Sequence, residues 1–263
     1  MGQEAIVITF TQHPRMVLGQ DADSLRLLNS PEEKRALLLA AGVDKVEYVE
    51  FTPQFAALTT AQYLQLLKTS YGASAVVIGY DNRIGSDLLT PEATAIVARA
   101  IGLAPVVADC SSSPISSTKI RTALMEGRIG EANAMLGYRY PLSGTIVHGN
   151  KIGRTLGYPT ANMSVSDPLK QIPGNGVYLV KVRLGGEEHW GMTNIGMRPT
   201  VGGSALTVET HILDFAQEIY GQEMGIEFVA RLRAEQRFGS LDELKKNLAA
   251  DESRCREILN ELQ

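Results

Sequence analysis

Residues 149–162, just past the middle of the chain, combine glycines, basic side chains and small oxygen-bearing side chains in one short segment. Glycine lets a backbone turn and approach a phosphate where a side chain would clash. Lys151 and Arg154 could neutralise phosphate charge, arginine by two parallel hydrogen bonds. Thr160 and Asn162 stand two positions apart, so in an extended segment their oxygens face the same side. Such neutral oxygens suit Mg²⁺, which is otherwise bound largely by substrate phosphates, so the segment predicts a phosphate and magnesium site.

The commoner structure for such a segment is a glycine-rich turn followed by the start of a strand. The segment is not a Walker A loop, because no Gly-Lys-Ser/Thr sequence closes it. No strand–helix–strand pattern surrounds it either, as a dinucleotide-binding loop would require. From these residues alone, both the turn and the phosphate site remain open.

A second group of polar residues lies on a predicted strand at residues 206–213. Thr207, Glu209 and His211 share one face of that strand, and Leu206, Val208 and Ile212 share the other. A glutamate on a strand is most often simply solvated, and a lone histidine is more often structural than catalytic. The residues by themselves therefore leave their roles undecided.

Composition excludes several classes of protein. The chain has 263 residues and a formal net charge of −4, and its length favours one large domain or two ordinary ones. The hydrophobic fraction of 44% is enough to bury a core. A nucleic-acid binder would usually show a basic field, whereas this chain has a net negative charge. The sequence contains no run of 18 or more apolar residues, so no membrane-spanning segment is expected. The first residues lack the pattern of a signal peptide. Cys110 and Cys255 lie far apart in the sequence, and neither belongs to a cluster typical of a metal site. We therefore expect two free thiols in a reducing cytoplasm.

The first half of the chain alternates short apolar runs with helical patterns. Predicted strands at residues 5–10, 45–51, 75–78 and 104–108 are separated by helices that begin at capping residues and end at glycines. This alternation predicts a parallel sheet with helices on both faces. A serine-rich segment at residues 111–121 opens a further helix, whose N-terminus could bind a phosphate or could simply be capped.

The pattern changes to a period of two after residue 140. Strands are predicted at residues 176–184, 188–195, 206–213 and 226–233, with no helices between them. Consecutive short strands of this kind predict an antiparallel barrel or sandwich. A capping box at residues 240–243 opens a closing helix. We place the boundary between the two halves near residue 137.

Four separated motifs of the second half resemble one family. Residues 153–162 closely resemble the signature of riboflavin kinases, and residues 194–200, 207–215 and 233–238 resemble further motifs of that family in the same order. In bacteria this kinase is the C-terminal half of a bifunctional riboflavin kinase/FAD synthetase. The resemblance implies an antiparallel β-barrel with a closing α-helix over residues 138–263.

The resemblance also implies a reaction and a role for each residue. ATP would phosphorylate the terminal hydroxyl of riboflavin to give FMN, and Glu209 would accept the hydroxyl proton as general base. Thr160 and Asn162 would hold Mg²⁺. The implied ATP-binding residues are Gly149, Lys151, Gly153, Arg154, Thr155 and Gly157. The implied flavin-binding residues are Asn194, Arg198, Arg233 and Glu235.

The first half resembles the FAD synthetase part of the same family. Residues 115–121 are similar to its phosphate-binding motif, and residues 9–15 to its second strand and the following loop. The resemblance implies a nucleotidyltransferase-like (Rossmann-like) α/β domain with a parallel sheet over residues 1–137. The implied phosphate-binding residues are Ser116, Ser117, Thr118 and Arg121.

The synthetase part departs from its family in one respect. Family members begin with a strand followed by a His-x-Gly-His motif that handles the ATP phosphates, and none of the 4 histidines of this chain stands in such a motif. Residues 1–4 are too few to hold that strand and its helix, so we expect a truncated domain, incomplete at its N-terminus. Residues 79–85 keep Asp81 and Arg83 but depart from the family at the positions around them.

The leading hypothesis is a cytoplasmic riboflavin kinase that makes FMN, with the further adenylylation of FMN to FAD in doubt. Two alternatives stay open: both activities are present, or the chain is a non-catalytic module that binds and stores flavin. Thr160, Asn162 and Glu209 together favour the kinase, because storage needs neither a metal nor a base. The expected partners are the small molecules riboflavin and ATP, with no nucleic acid and no membrane.

Overall fold

The computed structural model describes residues 2–17, 19, 25–108, 115–149, 152–200 and 203–262. Its helices and strands group into two units. The first unit comprises Met1–Leu25 and Pro31–Pro114, and the second comprises Arg26–Ser30 and Ile115–Gln263.

Parallel strands and helices build the first unit. Strand β1 (Ile6–Phe10) pairs in parallel with β2 (Lys45–Val49), and β3 (Ala75–Ile78) pairs in parallel with β4 (Ala104–Val107). The helices are α1 (Pro14–Val17), α2 (Pro31–Ala40), α3 (Pro53–Ala56), α4 (Thr60–Tyr71) and α5 (Pro91–Ile101). The predicted α/β class with parallel strands is confirmed.

Local signals explain where α4 begins and ends. The Thr59 side chain accepts a hydrogen bond from the Gln62 backbone, while the Gln62 side chain accepts one from the Thr59 backbone. This capping box satisfies N–H groups that the first helical turn leaves unpaired. Gly72 follows the helix with a φ of 64°, a left-handed conformation that suits glycine.

The strands of the first unit form two separate ladders instead of one continuous sheet. Among the described residues, backbone pairing joins β1 only with β2 and β3 only with β4. Ile78 packs with helix residues Leu64 and Ala98 in a buried cluster. Val77 and Val106 face each other across β3 and β4 and are 71% and 54% exposed. One face of this pair is thus uncovered by the described helices, contrary to the prediction that helices cover both faces.

Six antiparallel strands close into a barrel in the second unit. Strand β10 pairs with both β5 and β7, which removes the exposed edges of an open sheet, and the order around the barrel is β10-β5-β6-β9-β8-β7. The strands are β5 (Pro141–Val147), β6 (Ala161–Val165), β7 (Gly176–Leu184), β8 (Glu187–Thr200), β9 (Gly203–Ile212) and β10 (Glu223–Arg233). The unit's helices are α6 (Ser117–Met125), α7 (Ile129–Leu136), α8 (Ile152–Thr155) and α9 (Leu241–Glu261). The predicted barrel and closing helix are confirmed.

Helices α6 and α7 contribute to the core of the barrel unit. Ile120, Leu124 and Ile129 are buried in the same apolar cluster as the inward-facing barrel residues. The side chain of Asn133 donates to the carbonyl of Phe228 at 2.9 Å and accepts from a backbone N–H of the barrel at 2.9 Å. The chain therefore passes from the first compact unit to the second between residues 114 and 115. The boundary near residue 137, between the synthetase-like and the kinase-like parts of the sequence, stays a prediction.

Two further observations bear on the environment of the chain. No helix within the described ranges is both long and apolar enough to cross a membrane.

Burial, followed by the nearby Asp251 carboxylate, raises the pKa of the Cys255 thiol to about 12, so this thiol stays protonated and unreactive. Cys110 lies outside the described residues.

Candidate active site

Two cavities of the barrel unit share a wall formed by Tyr158, Thr160 and His211. The larger has a volume of about 830 Å³ and the smaller about 290 Å³. Among the residues predicted to act in the site, the larger cavity is lined by Arg154, Gly157 and Thr160. The smaller is lined by Gly153, Thr160, Asn194, Arg198, Glu209, Arg233 and Glu235. Sequence motifs that lie far apart in the chain thus meet around one wall.

Three of the predicted residues form a row across neighbouring strands. Glu209 on β9 lies directly opposite Asn162 on β6 and directly opposite Asn194 on β8. Residues paired in this way have Cβ atoms roughly 4.5–5.5 Å apart on the same face of a sheet. The structure therefore brings together a candidate base, a candidate metal ligand and a candidate flavin ligand.

The row lies on the outer face of the barrel. Val208 and Ile195, which neighbour Glu209 and Asn194 in sequence, belong to the apolar cluster inside the barrel. Successive side chains of a strand point to opposite faces, so the polar neighbours point outward. Helix α9 covers this face, because Leu244, Leu248 and Asp251 line the smaller cavity.

A buried pair of hydroxyl groups fixes the register next to the row. Thr193 and Thr210 are opposite each other on β8 and β9, and their Oγ1 atoms are 2.8 Å apart with no exposure to solvent. A slip of one residue would leave both hydroxyls buried without this partner and would turn Glu209 to the other face. The barrel interior thus determines where the polar row stands.

Glu209 has a charged partner within the smaller cavity. Arg198 donates a hydrogen bond through Nη2 to Oε1 of Glu209. The Glu209 side chain is 21% exposed, so its carboxylate is accessible but largely surrounded by protein. The ion pair occupies one carboxylate oxygen and leaves Oε2 able to accept a further hydrogen bond.

Two glycines of the predicted ATP-binding loop are required by close packing. A Cβ atom on Gly149 would lie 2.3 Å from Nδ2 of Asn162, and one on Gly153 would lie 2.2 Å from the carbonyl oxygen of Tyr158. The backbone at Gly149 thus packs directly on β6, and the backbone at Gly153 packs on the segment that leads into β6. Thr155 lines neither cavity, and Lys151 lies outside the described residues.

Residues 214–220 form the other side of the larger cavity. The rings of His148 and Tyr220 have centroids 4.0 Å apart, and Nη2 of Arg154 lies 3.3 Å from Oε1 of Glu218. A phosphate entering this cavity would compete with Glu218 for the Arg154 guanidinium. The Arg154–Glu218 pair is exposed and therefore weak, so such an exchange costs little.

Two predicted flavin ligands are also engaged in structural contacts. Arg233 makes a bidentate ion pair with the buried Asp251 of α9, with both N–O distances at 2.8 Å. Glu235 accepts from the side chain of Asn175 at 2.8 Å and lies against Gly196, where a Cβ atom would be 2.2 Å from its Oε1. Both residues line the smaller cavity, and their roles toward flavin remain predictions.

The sequence analysis assigned a phosphate-binding motif, residues 115–121, to the synthetase part of the chain. In the structure this motif belongs to the barrel unit. Ser116 is the N-cap of α6, and its hydroxyl accepts from the backbone of Lys119 at 3.3 Å. Arg121 contacts the carbonyl of Arg26 at 3.5 Å. Ser117 and Thr118 are exposed in the first turn of the helix. The structure thus shows capping at this place, and phosphate binding stays a prediction.

Sequence reasoning missed several residues that line the larger cavity. Asp214, Lys245 and Glu252 are among them. Lys245 and Glu252 lie on α9, where they resemble the many other charged residues of an exposed helix face, so nothing in the sequence distinguishes them. Asp214 adopts a φ of 56°, which is uncommon for a residue other than glycine and has no sequence signal.

Comparisons with known proteins match two parts of the chain to two families. The riboflavin kinase family matches residues 136–259, and the FAD synthetase family matches residues 1–110. A bifunctional riboflavin kinase/FMN adenylyltransferase of Listeria monocytogenes is 36% identical over 266 residues, which cover 100% of this chain and 84% of that protein. The Escherichia coli protein of the same name is 36% identical over 260 residues, which cover 96% and 82%.

A solved structure from Streptococcus pneumoniae that carries the name macrolide-efflux protein is also similar. It superposes on this chain with a TM-score of 0.88 at 32% identity, covering 96% of this chain and 83% of the other. The shared architecture therefore extends over both units.

Proposed function

The chain belongs to the family of bifunctional riboflavin kinases/FMN adenylyltransferases, and we propose that its kinase reaction takes place at the row of Asn162, Glu209 and Asn194. The reaction is the phosphorylation of riboflavin by ATP to give FMN. The observation that carries the proposal is that residues from three separated motifs stand opposite one another on adjacent strands.

The shared wall supports an assignment of the two cavities. The smaller one, lined by apolar residues such as Met192 and Phe238 together with Glu209, would hold the flavin and its ribityl chain. The larger one, bounded by the glycine-containing segment, would hold ATP. Thr160 borders both cavities, so the phosphoryl group would be transferred beside it.

Glu209 would act as the general base. Its ion pair with Arg198 orients the carboxylate, and Oε2 of Glu209 would accept the proton of the ribityl hydroxyl. The hydroxyl oxygen would attack the terminal phosphorus of ATP as the bond from that phosphorus to ADP breaks and ADP leaves. Arg154, freed from Glu218, would contact the ATP phosphates. α9 and residues 154–161 would keep water away from the reacting group, which prevents hydrolysis of ATP.

The donor set next to the row fits Mg²⁺. Among the described residues no three His, Cys, Asp or Glu side chains cluster as a metal site, so the protein ligands would be the neutral oxygens of Thr160 and Asn162. Mg²⁺ accepts such a site when substrate phosphates and water complete its shell. When bound, Mg²⁺ offsets the negative charge on the transferring group. The contact of Gly149 with the Asn162 amide would hold that side chain in place.

Thr160→Ala and Asn162→Ala should each raise the KM for Mg-ATP on the order of tenfold, because each removes an oxygen that binds a charged group. Riboflavin binding should change little. The measurement is the rate of FMN formation as a function of Mg²⁺ and ATP concentration. Ser164→Ala, an exposed position two residues further along β6, is the matched control and should behave as wild type. A shift in riboflavin affinity that Mg²⁺ does not alter would contradict the metal assignment.

The proposed function is tested by incubating the chain with riboflavin and Mg-ATP and separating the flavins by chromatography. FMN should accumulate, and formation of neither FMN nor FAD would instead support a flavin-binding module. Adenylylation by the first unit is possible by homology, since the FAD synthetase family matches residues 1–110. Because these 263 residues contain no His-x-Gly-His motif, we expect little FAD from them. Abundant FAD would show that both activities are present. The cytoplasmic location remains a prediction.

A further inference from the structure

Helix α9 lines both cavities of the barrel unit through two neighbouring stripes of side chains. Leu244, Leu248 and Asp251 line the smaller cavity, and their spacing places them on one face of the helix. Lys245 and Glu252 line the larger cavity, and they also share a face, because they stand two turns apart. Each residue of an α-helix is rotated by about 100° from the one before it, so the second stripe lies beside the first. One helix thus forms part of the wall of both proposed substrate sites.

The carboxylates that line the larger cavity are Asp214, Glu218 and Glu252, and each has an arginine partner. Arg256, one turn after Glu252, donates to Glu252 at 2.8 and 3.1 Å and to Asp214 at 2.8 and 3.2 Å. Glu218 is paired with Arg154 at 3.3 Å. The negative charge of this wall is therefore offset by guanidinium groups, so the wall repels an incoming anion less than its three carboxylates alone would.

Lys245 is the cation of the larger cavity that has no carboxylate partner. Within the described ranges, the lysine and arginine side chains that line this cavity are Arg154 and Lys245. Arg154 is engaged by Glu218, whereas Lys245 forms no ion pair with any residue that the structure describes. Lys245 is also exposed, so its ammonium group is accessible to a ligand. This group consequently supplies a positive charge to the cavity that the protein itself does not neutralise.

The remaining lining of the larger cavity suits a ligand that is apolar in one part and anionic in another. Its volume of about 830 Å³ is far more than a small inorganic anion needs, and Ile146, Ile212 and Phe215 line it beside the charged residues. A nucleotide has this character, because its base is a flat uncharged ring and its phosphates are negative. Lysine is a common phosphate ligand, since it brings a compact charge on a flexible stem. The phosphates are therefore the part of a nucleotide that Lys245 would contact.

We propose that Lys245 binds the phosphates of ATP, so that the closing helix contacts the nucleotide as well as forming a wall of the flavin cavity. This inference rests on the proposed function of the larger cavity as the nucleotide site. Arg154 of α8 and Lys245 of α9 would then hold the phosphates from two elements that lie far apart in the chain. Lys245 contributes to binding alone, and proton transfer stays with Glu209.

Lys245→Gln tests the proposal because it keeps a polar side chain on an exposed helix position and removes only the charge. Loss of one charged contact should raise the KM for Mg-ATP in FMN formation by about 3- to 10-fold, with kcat close to wild type. Binding of Mg-ADP, measured by calorimetry, should weaken by the same factor, and the loss should shrink at high salt. Lys245→Arg, which keeps the charge, should retain most of the affinity. Riboflavin binding and the thermal midpoint should not change.

The matched control is Lys246→Gln, which removes the same charge from the next residue of α9, an exposed lysine that lines neither cavity. Its KM for Mg-ATP should equal that of the wild type. An unchanged KM in Lys245→Gln, or equal losses in the two variants, would overturn the phosphate contact. A loss of riboflavin affinity in place of nucleotide affinity would also overturn it. Failure of the wild-type chain to make FMN would count against the proposed function, and the Mg-ADP titrations would still test Lys245 because they need no turnover.

Discussion

Glu209→Gln should reduce the rate of FMN formation by about 10²–10⁴-fold while riboflavin still binds. The amide has the shape of the carboxylate but cannot accept a proton from the ribityl hydroxyl. The position of Glu209 opposite Asn162 and Asn194 gives it a fixed place in the lining of the smaller cavity. Single-turnover rates with saturating Mg-ATP measure the loss, and titration of flavin fluorescence measures binding.

The substitution also removes the charged partner of Arg198, so a second variant is needed to separate the two effects. Arg198→Gln keeps the carboxylate and breaks the ion pair, and its rate should fall less than that of Glu209→Gln. Glu187→Gln, at the exposed far end of β8, is the matched control for loss of one negative charge. A Glu209→Gln enzyme that kept more than about one third of the wild-type rate would rule out this base.

Residues 138–263 should fail to fold as a stable fragment, whereas residues 115–263 should fold. The shorter fragment lacks α6 and α7, whose Ile120, Leu124 and Ile129 are almost completely buried in the barrel unit. Burial of three such side chains contributes roughly 5–9 kcal/mol. The stability of a whole domain is only about 5–15 kcal/mol, so the loss is comparable with all of it.

Urea unfolding followed by circular dichroism measures the difference between the two fragments. The longer fragment should show one cooperative transition, and the shorter one should show a strongly lowered midpoint or none. Asn133→Ala in the longer fragment provides a graded comparison, because it removes only the two bonds of α7 to Phe228 and Tyr140. Equal midpoints for the two fragments would show that the helix pair is dispensable.

The sequence was most informative where structure depends on neighbouring residues. Period-two alternation located the strands around Glu209 and residues 176–184, and capping residues located the start of α4 and of α9. These features are local, because they depend on strand pleat and helix-end hydrogen bonds. The α/β class and an antiparallel barrel or sandwich with a closing helix followed from them, whereas the choice of the barrel came from the family resemblance.

The sequence was least informative where distant segments meet. The pairing of β10 with β5, which closes the barrel, joins strands separated by most of the second unit. The packing of α6 and α7 into that unit depends on the same long-range closure. The ion pair from Arg256 to Asp214 likewise joins residues far apart in the chain, and neither residue type signals it. Periodicity has no information on such long-range contacts, so only the structure could reveal them.

The register of the row restricts which insertions and deletions the gene can tolerate. Glu209 points outward only because Val208 points into the barrel, and the Thr193–Thr210 pair keeps β8 and β9 in step. One residue inserted within β9 before Glu209 would reverse the face of every side chain between the insertion and the next bulge. Residues added outside the strands leave the paired rows untouched. Length variation compatible with catalysis is therefore confined to the turns, and a single codon gained within a strand removes the base from the site without changing any residue.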